Sequence, residues 1–238
     1  MGFFHYYLKR RLHGLSKAPQ GADEESIKQL LWIVAALVIL YAVLDIIAQI
    51  LPPHYSPISQ PESDLAVGPY GYIMTANFVN RGILSLIFVY ALTKALKLTE
   101  GDGSRSRGGV FLLGMWGVGA LLLAIFPTDV PNVPVSWHGA IHLVVAILAF
   151  LGGAFGTLLF SLRFGQNKIL RNARGFALPI AVIAVVSVFA TLGSQSIATG
   201  VGGLLERIFI GSVLLWMLLV SVYLARRLGK EPDQSKTP

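Results

Sequence analysis

The sequence predicts an all-α membrane protein, a polytopic bundle of six transmembrane helices with both termini in the cytoplasm. Hydrophobic residues make up 54% of the 238 residues and charged residues only 13%, whereas a soluble domain carries about 25% charged residues. The apolar residues occur in long blocks, separated by short segments that hold most of the charge and proline, which is typical of membrane-spanning helices. This pattern excludes a soluble enzyme.

Six apolar segments are long enough, at 1.5 Å of rise per residue, to cross a hydrocarbon core of roughly 30 Å. The third has 18 residues and is the shortest, so a buried or re-entrant helix is its alternative interpretation. Together the six form a transmembrane domain over 30–228, with a cytoplasmic segment at 1–29 and a cytoplasmic tail at 229–238. The predicted spans are 30–51, 71–98, 109–126, 138–162, 175–197 and 203–226.

The orientation follows from the positions of lysine and arginine, which are retained on the cytoplasmic side of a membrane. Seventeen of the 19 basic residues lie in or beside the termini and the connections after spans two and four. The connections 52–70, 127–137 and 198–202 contain none. We therefore expect these three connections outside and a multi-pass protein of the cell membrane.

The N-terminal segment contains an amphipathic pattern. Phe4, Leu8, Leu12 and Leu15 share one helical face, and the basic run 9–11 lies off that face. This favours a helix on an anionic inner leaflet, with a frayed basic tail as the alternative. Because the basic residues sort by membrane side, the net charge of +7 does not indicate a nucleic-acid partner.

Uncommon polar residues gather toward the outer side of the predicted bundle. A charged group within a span costs at least a few kcal/mol unless it is paired or hydrated, so such groups usually line the bundle interior and mark function. The pattern predicts a polar pocket that opens outward. Its candidate residues are Asp45, Ser63, Asp64, Asn77, Arg81, Asp129, His138, His142 and Glu206.

Asp45 and Arg81 lie at similar depths in neighbouring spans, which predicts a buried ion pair between them. Asn77 lies one turn from Arg81 on the same helical face. The alternative is therefore that Arg81 and Asn77 donate to an anionic ligand, because a guanidinium suits carboxylate and phosphate groups.

His138 and His142 are four residues apart on one helical face, and Asp129 precedes them. Two imidazoles and a carboxylate suit zinc, although the segment lacks the glutamate of the HExxH helix. The alternative places His138 at the interface beside Trp137 and His142 in a hydrogen bond inside the bundle, within reach of Asp129 or the Ser63–Asp64 segment.

We predict no cofactor, with zinc as the alternative. The chain has no cysteine, and two histidines on one helical face cannot approach a haem from opposite sides.

Several glycines have the spacing of close helix packing. Gly152 and Gly156 form one small-residue surface, and Gly114, Gly117 and Gly119 form another in the third span. These faces predict helix contacts and also offer a route to a homo-oligomer.

Four stretches of the sequence resemble the family of archaeal and bacterial membrane proteins grouped as domain of unknown function 998, over about residues 30–228. That family is polytopic, and its label implies no activity. The stretch around Ser63 and Asp64, followed by Gly68 and Phe78, is also distantly similar to the FRAG/DRAM/Sfk group of six-span proteins. By resemblance, the candidate functional positions are these four residues together with Asp129 and His142. The stretches are SPISQPESDLAVGPYGYIMTANFVNRG, GVGALLLAIFPTD, GAIH and GLLERIFIGSVLLWMLLV.

The leading functional hypothesis is an outward-facing pocket that binds a lipid head group or another small polar ligand, with membrane lipids as partners. One alternative is a metal-dependent intramembrane hydrolase that acts on lipid, which needs at least three ligands and an open position for water. Another is a small transporter, which needs a polar path to the inner face. The sequence assigns no catalytic residue and does not separate a binding protein from an enzyme.

Overall fold

A computed structural model of the chain describes residues 20–100, 106–130, 133–197 and 200–229. Over these ranges the fold is all-helical, and six helices are long and apolar enough to cross a membrane, which confirms the predicted class. Two short 3-10 helices, Glu62–Ala66 and Arg171–Ala173, lie in connections. The six long helices are α1 (Gln20–Ile50), α2 (Gly71–Glu100), α3 (Arg107–Ile125), α4 (Trp137–Phe164), α5 (Arg174–Ile197) and α6 (Gly202–Arg227).

The first helix begins ten residues before the predicted span. Its first turns carry the exposed acids Asp23 and Glu25, so this part of α1 lies outside the apolar block. Hydropathy marks the part of a helix that suits hydrocarbon, whereas backbone hydrogen bonding continues past it. The predicted amphipathic helix near the N-terminus and the tail from residue 230 lie outside the described residues.

The third helix, α3, has 19 residues and therefore spans roughly 28 Å. The Ser106 hydroxyl caps its N-terminus by accepting a hydrogen bond from the Gly109 N–H at 3.1 Å. A capped helix of this length and apolar composition can cross a bilayer, so the short predicted span is a complete helix in the structure.

The helices form a closed ring in which each packs against its neighbours in sequence and α1 packs against α6. α6 also contacts α2 and α4, which makes it the most central helix. Because consecutive helices alternate in direction, the described parts of the connections 51–70, 126–136 and 198–201 lie at one end of the ring. We call this the pocket end.

Aromatic side chains fill the centre of the bundle. The Trp216 indole N–H donates to the Ser161 hydroxyl at 2.8 Å. Its ring stacks on Phe164 with centroids 5.7 Å apart and meets the edge of Phe88 at 5.5 Å. Such aromatic pairs contribute about 0.5–1.5 kcal/mol each beyond the apolar area they bury, so this layer stabilises the contacts of α2, α4 and α6.

The predicted glycine surface on α4 packs against α3. A Cβ at Gly152 would lie 2.6 Å from the Leu112 carbonyl oxygen, and one at Gly156 would lie 2.8 Å from Leu113 Cγ. Any larger side chain would push the two helices apart. This face therefore serves helix packing within one chain, while a homo-oligomer remains a proposal.

Candidate functional site

A cavity of about 370 Å³ lies at the pocket end, between the 3-10 segment Glu62–Ala66, the connection before α4, and helices α2, α3, α4, α5 and α6. Roughly half of its lining residues carry polar or charged side chains. The polar ones are Ser63, Asp64, Arg81, Thr128, Asp129, His142, Thr191 and Glu206. The others are Pro61, Phe78, Leu123, Gly139, Leu143, Ala146, Ile147, Phe150 and Leu192.

Arg81 is the most unusual residue in this lining. It lies ten residues into α2, and its side chain is only 1% exposed. Its Nε and Nη1 atoms have no hydrogen-bond partner among the described residues. The guanidinium carbon instead lies 4.6 Å from the centre of the Trp116 ring and 5.1 Å from that of Phe78. Aromatic faces attract a cation but do not satisfy its N–H donors.

The predicted Asp45–Arg81 ion pair is not present in the structure. No ion pair joins Asp45 to Arg81 in the described part of the chain. Asp45 Oδ2 accepts a hydrogen bond from Gln49 Nε2 at 2.6 Å, one turn along α1. The prediction rested on the similar depths of the two residues. The rotation of each helix about its axis decides which side chains meet. Asp45 also lies outside the cavity lining.

A buried network beside the cavity joins the 3-10 segment to α1 and α2. The Tyr41 hydroxyl donates to Glu62 Oε2 at 2.5 Å, and Glu62 is 2% exposed. Asn77 Nδ2 donates to the Tyr41 carbonyl oxygen at 3.1 Å. Asn77, a predicted pocket residue, therefore ties α2 to α1 and does not line the cavity.

Arg207 holds the long connection after α1 against α6. Its Nη1 donates to the carbonyl oxygens of Pro57 at 2.9 Å, Gln60 at 3.0 Å and Gly203 at 3.1 Å. Its Nη2 donates to the Tyr55 hydroxyl, and the backbone adds a Leu204 N–H to Ile58 carbonyl bond of 2.9 Å. We call this set the Arg207 clamp. It fixes the residues that immediately precede Glu62, Ser63 and Asp64.

Glu206 precedes Arg207 on α6 and lines the cavity. It is 6% exposed, and its carboxyl group faces the backbone of Glu62. Glu206 interacts electrostatically with Glu62, Arg207 and Arg81. Adjacent residues of one helix thus have different tasks: Arg207 fastens a connection, and Glu206 places a buried acid at the cavity.

His142 is 5% exposed and lines the cavity together with Asp129 and Asp64. Its Nδ1 lies 2.8 Å from the Phe126 carbonyl oxygen. A carbonyl oxygen only accepts hydrogen bonds, so Nδ1 carries the hydrogen and Nε2 of the neutral ring is an acceptor. This hydrogen bond anchors α4 to the end of α3 and fixes the orientation of the imidazole.

Asp129 lies in the connection between α3 and α4, over the first turn of α4. Its Oδ2 accepts from the Ser136 N–H at 2.9 Å, and Ser136 caps α4 by accepting from the Gly139 N–H at 3.1 Å. The hydrogen bonds from Ser136 hold the pKa of Asp129 below its usual range. A Cβ at Gly139 would fall on this carboxylate, so the site requires glycine there.

Asp64 differs from Asp129 in its surroundings. It lies in the 3-10 segment that leads toward α2, and its carboxylate has no hydrogen-bond partner in the part of the chain that the structure describes. Partial burial raises the pKa of Asp64 to about 6, because desolvation disfavours the charged carboxylate. The cavity thus has one carboxyl group that is hydrogen-bonded and one that lacks a partner.

Of the nine predicted pocket residues, six line this one cavity: Ser63, Asp64, Arg81, Asp129, His142 and Glu206. Asp45, Asn77 and His138 do not. The His138 ring lies against Trp137, with centroids 3.5 Å apart. The described residues contain no group of three or more His, Asp or Glu side chains that could hold a metal, so His138, His142 and Asp129 do not assemble the predicted zinc site.

Sequence reasoning missed Thr128 and Thr191 in the cavity lining, and it also missed Tyr41, which bonds to Glu62 beside the cavity. Thr128 precedes Asp129 in the Pro-Thr-Asp turn, a signal that could have identified it. No sequence signal marks Thr191. Its hydroxyl donates to the Ser187 carbonyl oxygen at 2.8 Å, as the hydroxyls of many buried helical threonines do.

Six apolar helices in a closed ring, with a half-polar cavity at one end, define a multi-pass integral membrane protein. The family model described as "Protein of unknown function (DUF998)" matches residues 33–223, and the chain belongs to this family. No curated protein and no solved structure gave a significant match. The distant similarity to the FRAG/DRAM/Sfk group stays a prediction.

Proposed function

We propose that the protein binds a lipid head group in the cavity at the pocket end, in the cell membrane. The single observation that carries this proposal is Arg81, a buried cation whose Nε and Nη1 donors have no partner. An unpaired buried charge is costly. A phosphate would accept hydrogen bonds from the guanidinium fork and neutralise it.

The cavity wall favours a lipid over a freely diffusing anion. Leu143 lines the cavity and is also 58% exposed on the outside of the bundle. Ile147 and Leu192 continue this apolar part of the lining on α4 and α5. Under this proposal, the cavity opens between α4 and α5 toward the hydrocarbon of the bilayer. Acyl chains would leave by this gap.

The size of the cavity fits the same proposal. Small-molecule sites usually measure about 300–1,000 Å³, and this cavity of about 370 Å³ lies near the lower limit. That volume suits a phosphate-containing head group, whereas two acyl chains would have to remain in the bilayer.

The test is native mass spectrometry of the purified protein, comparing the natural chain with Arg81→Gln. We expect the natural chain to retain phospholipid and Arg81→Gln to lose at least about nine-tenths of it, since one charged hydrogen-bonded contact is worth about 1.5–3 kcal/mol. The control is Arg107→Gln, which removes an exposed arginine at the opposite end and should leave lipid retention unchanged. Equal retention in all three proteins would refute the proposal.

A further inference from the structure

We infer that the ligand is a zwitterionic aminophospholipid, with its phosphate at Arg81 and its ammonium group at Asp64 and Asp129. This inference rests on the proposed lipid-binding function and names the class of head group. It follows from the signs of the charges that line the cavity and from their order between its floor and its rim.

The charged groups of the lining do not suit a ligand that carries a charge of only one sign. Arg81 is the one lysine or arginine in the described lining, and three carboxyl groups accompany it, those of Asp64, Asp129 and Glu206. A phosphate alone would gain Arg81 and be repelled by the acids. A cation alone would gain the acids and be repelled by a buried guanidinium. A ligand with both charges satisfies both parts, because like-charge contacts at a desolvated interface cost several kcal/mol.

The charges are also ordered along the cavity. Arg81 lies roughly 15 Å along α2 from its start at Gly71, against the ring of Trp116 in the aromatic centre. Asp64 and Asp129 belong to the connections at the pocket end. The cation is therefore at the floor and the two acids are at the rim. A phospholipid in its ordinary orientation presents the same order, with the phosphate nearer the hydrocarbon and the amine nearer the water.

The two rim acids offer complementary features to an ammonium group. The Asp129 carboxylate is oriented by Ser136 through one oxygen. The Asp64 carboxylate has no hydrogen-bond partner in the described structure and is partly buried. An ammonium group carries three donors, and it would supply the hydrogen bonds that Asp64 lacks. Glu206 is buried against the backbone of Glu62, so we assign the ammonium to the two rim acids, Asp64 and Asp129.

The experiment measures binding of short-chain lipids to the full-length protein after delipidation in detergent. The probes are dioctanoyl phosphatidylethanolamine, which is zwitterionic, and dioctanoyl phosphatidylglycerol, which carries only the negative charge. Water-soluble phosphoethanolamine is the third probe and tests the head group without chains. We expect phosphatidylethanolamine to bind at least about tenfold more tightly than phosphatidylglycerol, which corresponds to about 1.4 kcal/mol.

Variants of the rim separate charge recognition from a loss of folding. Asp64→Asn with Asp129→Asn should weaken phosphatidylethanolamine binding and strengthen phosphatidylglycerol binding. A misfolded protein would lose both. Arg81→Gln should weaken both lipids, and the exposed Asp23→Asn is the matched control for removal of an acid, with no effect on either.

The outcomes distinguish the two levels of the proposal. Saturable binding of both lipids with equal affinity, or a preference for phosphatidylglycerol, would overturn the zwitterionic inference and leave lipid binding intact. Absence of saturable binding for both lipids would overturn the proposed function itself. Binding of phosphoethanolamine as tightly as the lipid would support a zwitterionic ligand and refute a lipid source.

Discussion

The guanidinium carbon of Arg81 lies 4.6 Å from the centre of the Trp116 ring, in the middle of the bundle. This contact takes the place of a carboxylate partner. A buried cation–π contact contributes about 2 kcal/mol, whereas taking an ion out of water costs at least several kcal/mol. The charge of Arg81 is therefore only partly compensated, and the proposed anionic head group would relieve this penalty.

Arg81→Met should stabilise the delipidated protein. The substitution removes an unpaired buried charge and retains much of the side-chain volume, so we expect a gain of roughly 1–4 kcal/mol, the range found when buried ionic groups are replaced by apolar ones. Thermal unfolding in detergent, monitored by circular dichroism, measures the change. A loss of about 3–5 kcal/mol would instead indicate that Arg81 has a charged partner.

The Arg207 clamp should contribute strongly to stability. Arg207→Gln removes donors to the carbonyl oxygens of Pro57, Gln60 and Gly203 and to the Tyr55 hydroxyl, and should cost about 2–4 kcal/mol. Tyr55→Phe alone should cost about 1 kcal/mol. A double-mutant cycle of unfolding free energies should give a coupling of about 0.5–3 kcal/mol between the two residues. Strict additivity would mean that their contact carries no energy.

Gly139→Ala should destabilise the start of α4, because the new methyl group meets the Asp129 carboxylate. The expected loss is about 1–3 kcal/mol, the usual range for overpacking. Asp129→Ala in the same chain removes the obstructing atoms, so the double variant should recover part of the melting temperature lost in Gly139→Ala. If Gly139→Ala melts like the natural chain, the contact has little energetic effect.

Asp64 should make stability depend on pH. Its pKa is raised from 3.8 to about 6 by burial, so the folded state binds the proton more tightly than the unfolded state. The stabilisation from this group is complete below about pH 4 and is lost as pH rises through 6. Asp64→Asn should therefore gain in melting temperature relative to the natural chain between pH 4 and 7, while the exposed Asp23→Asn should not. A constant difference across this range would remove burial of Asp64 as the cause.

The topology can be tested with single cysteines, because the chain has none of its own. Ser59 is exposed in the connection after α1, and Arg107 is exposed at the start of α3, at the opposite end. In intact cells, Ser59→Cys should react with a membrane-impermeant maleimide, and Arg107→Cys should react only after the membrane is opened. The reverse pattern would invert the predicted orientation.

Much of the candidate site followed from residue type and depth. A charged or imidazole side chain within an apolar span has few stable environments other than the bundle interior, which is why Arg81, His142 and Glu206 were identified and lie in one cavity. Asp45 and Asn77 met the same criterion but lie outside the cavity lining. Depth is set by position in the helix, but the neighbour of each side chain depends on how the helices rotate and pack.

The sequence by itself determined the class, the number of helices and the segments they occupy. Long apolar blocks must be helical to satisfy their backbone in hydrocarbon, so composition and length sufficed. Only the tertiary structure decided that Arg81 faces Trp116 without a carboxylate, that Arg207 fastens the connection after α1, and that His142 is bonded to the Phe126 carbonyl oxygen. These contacts join residues from different helices and connections, and their geometry depends on packing that no local pattern encodes.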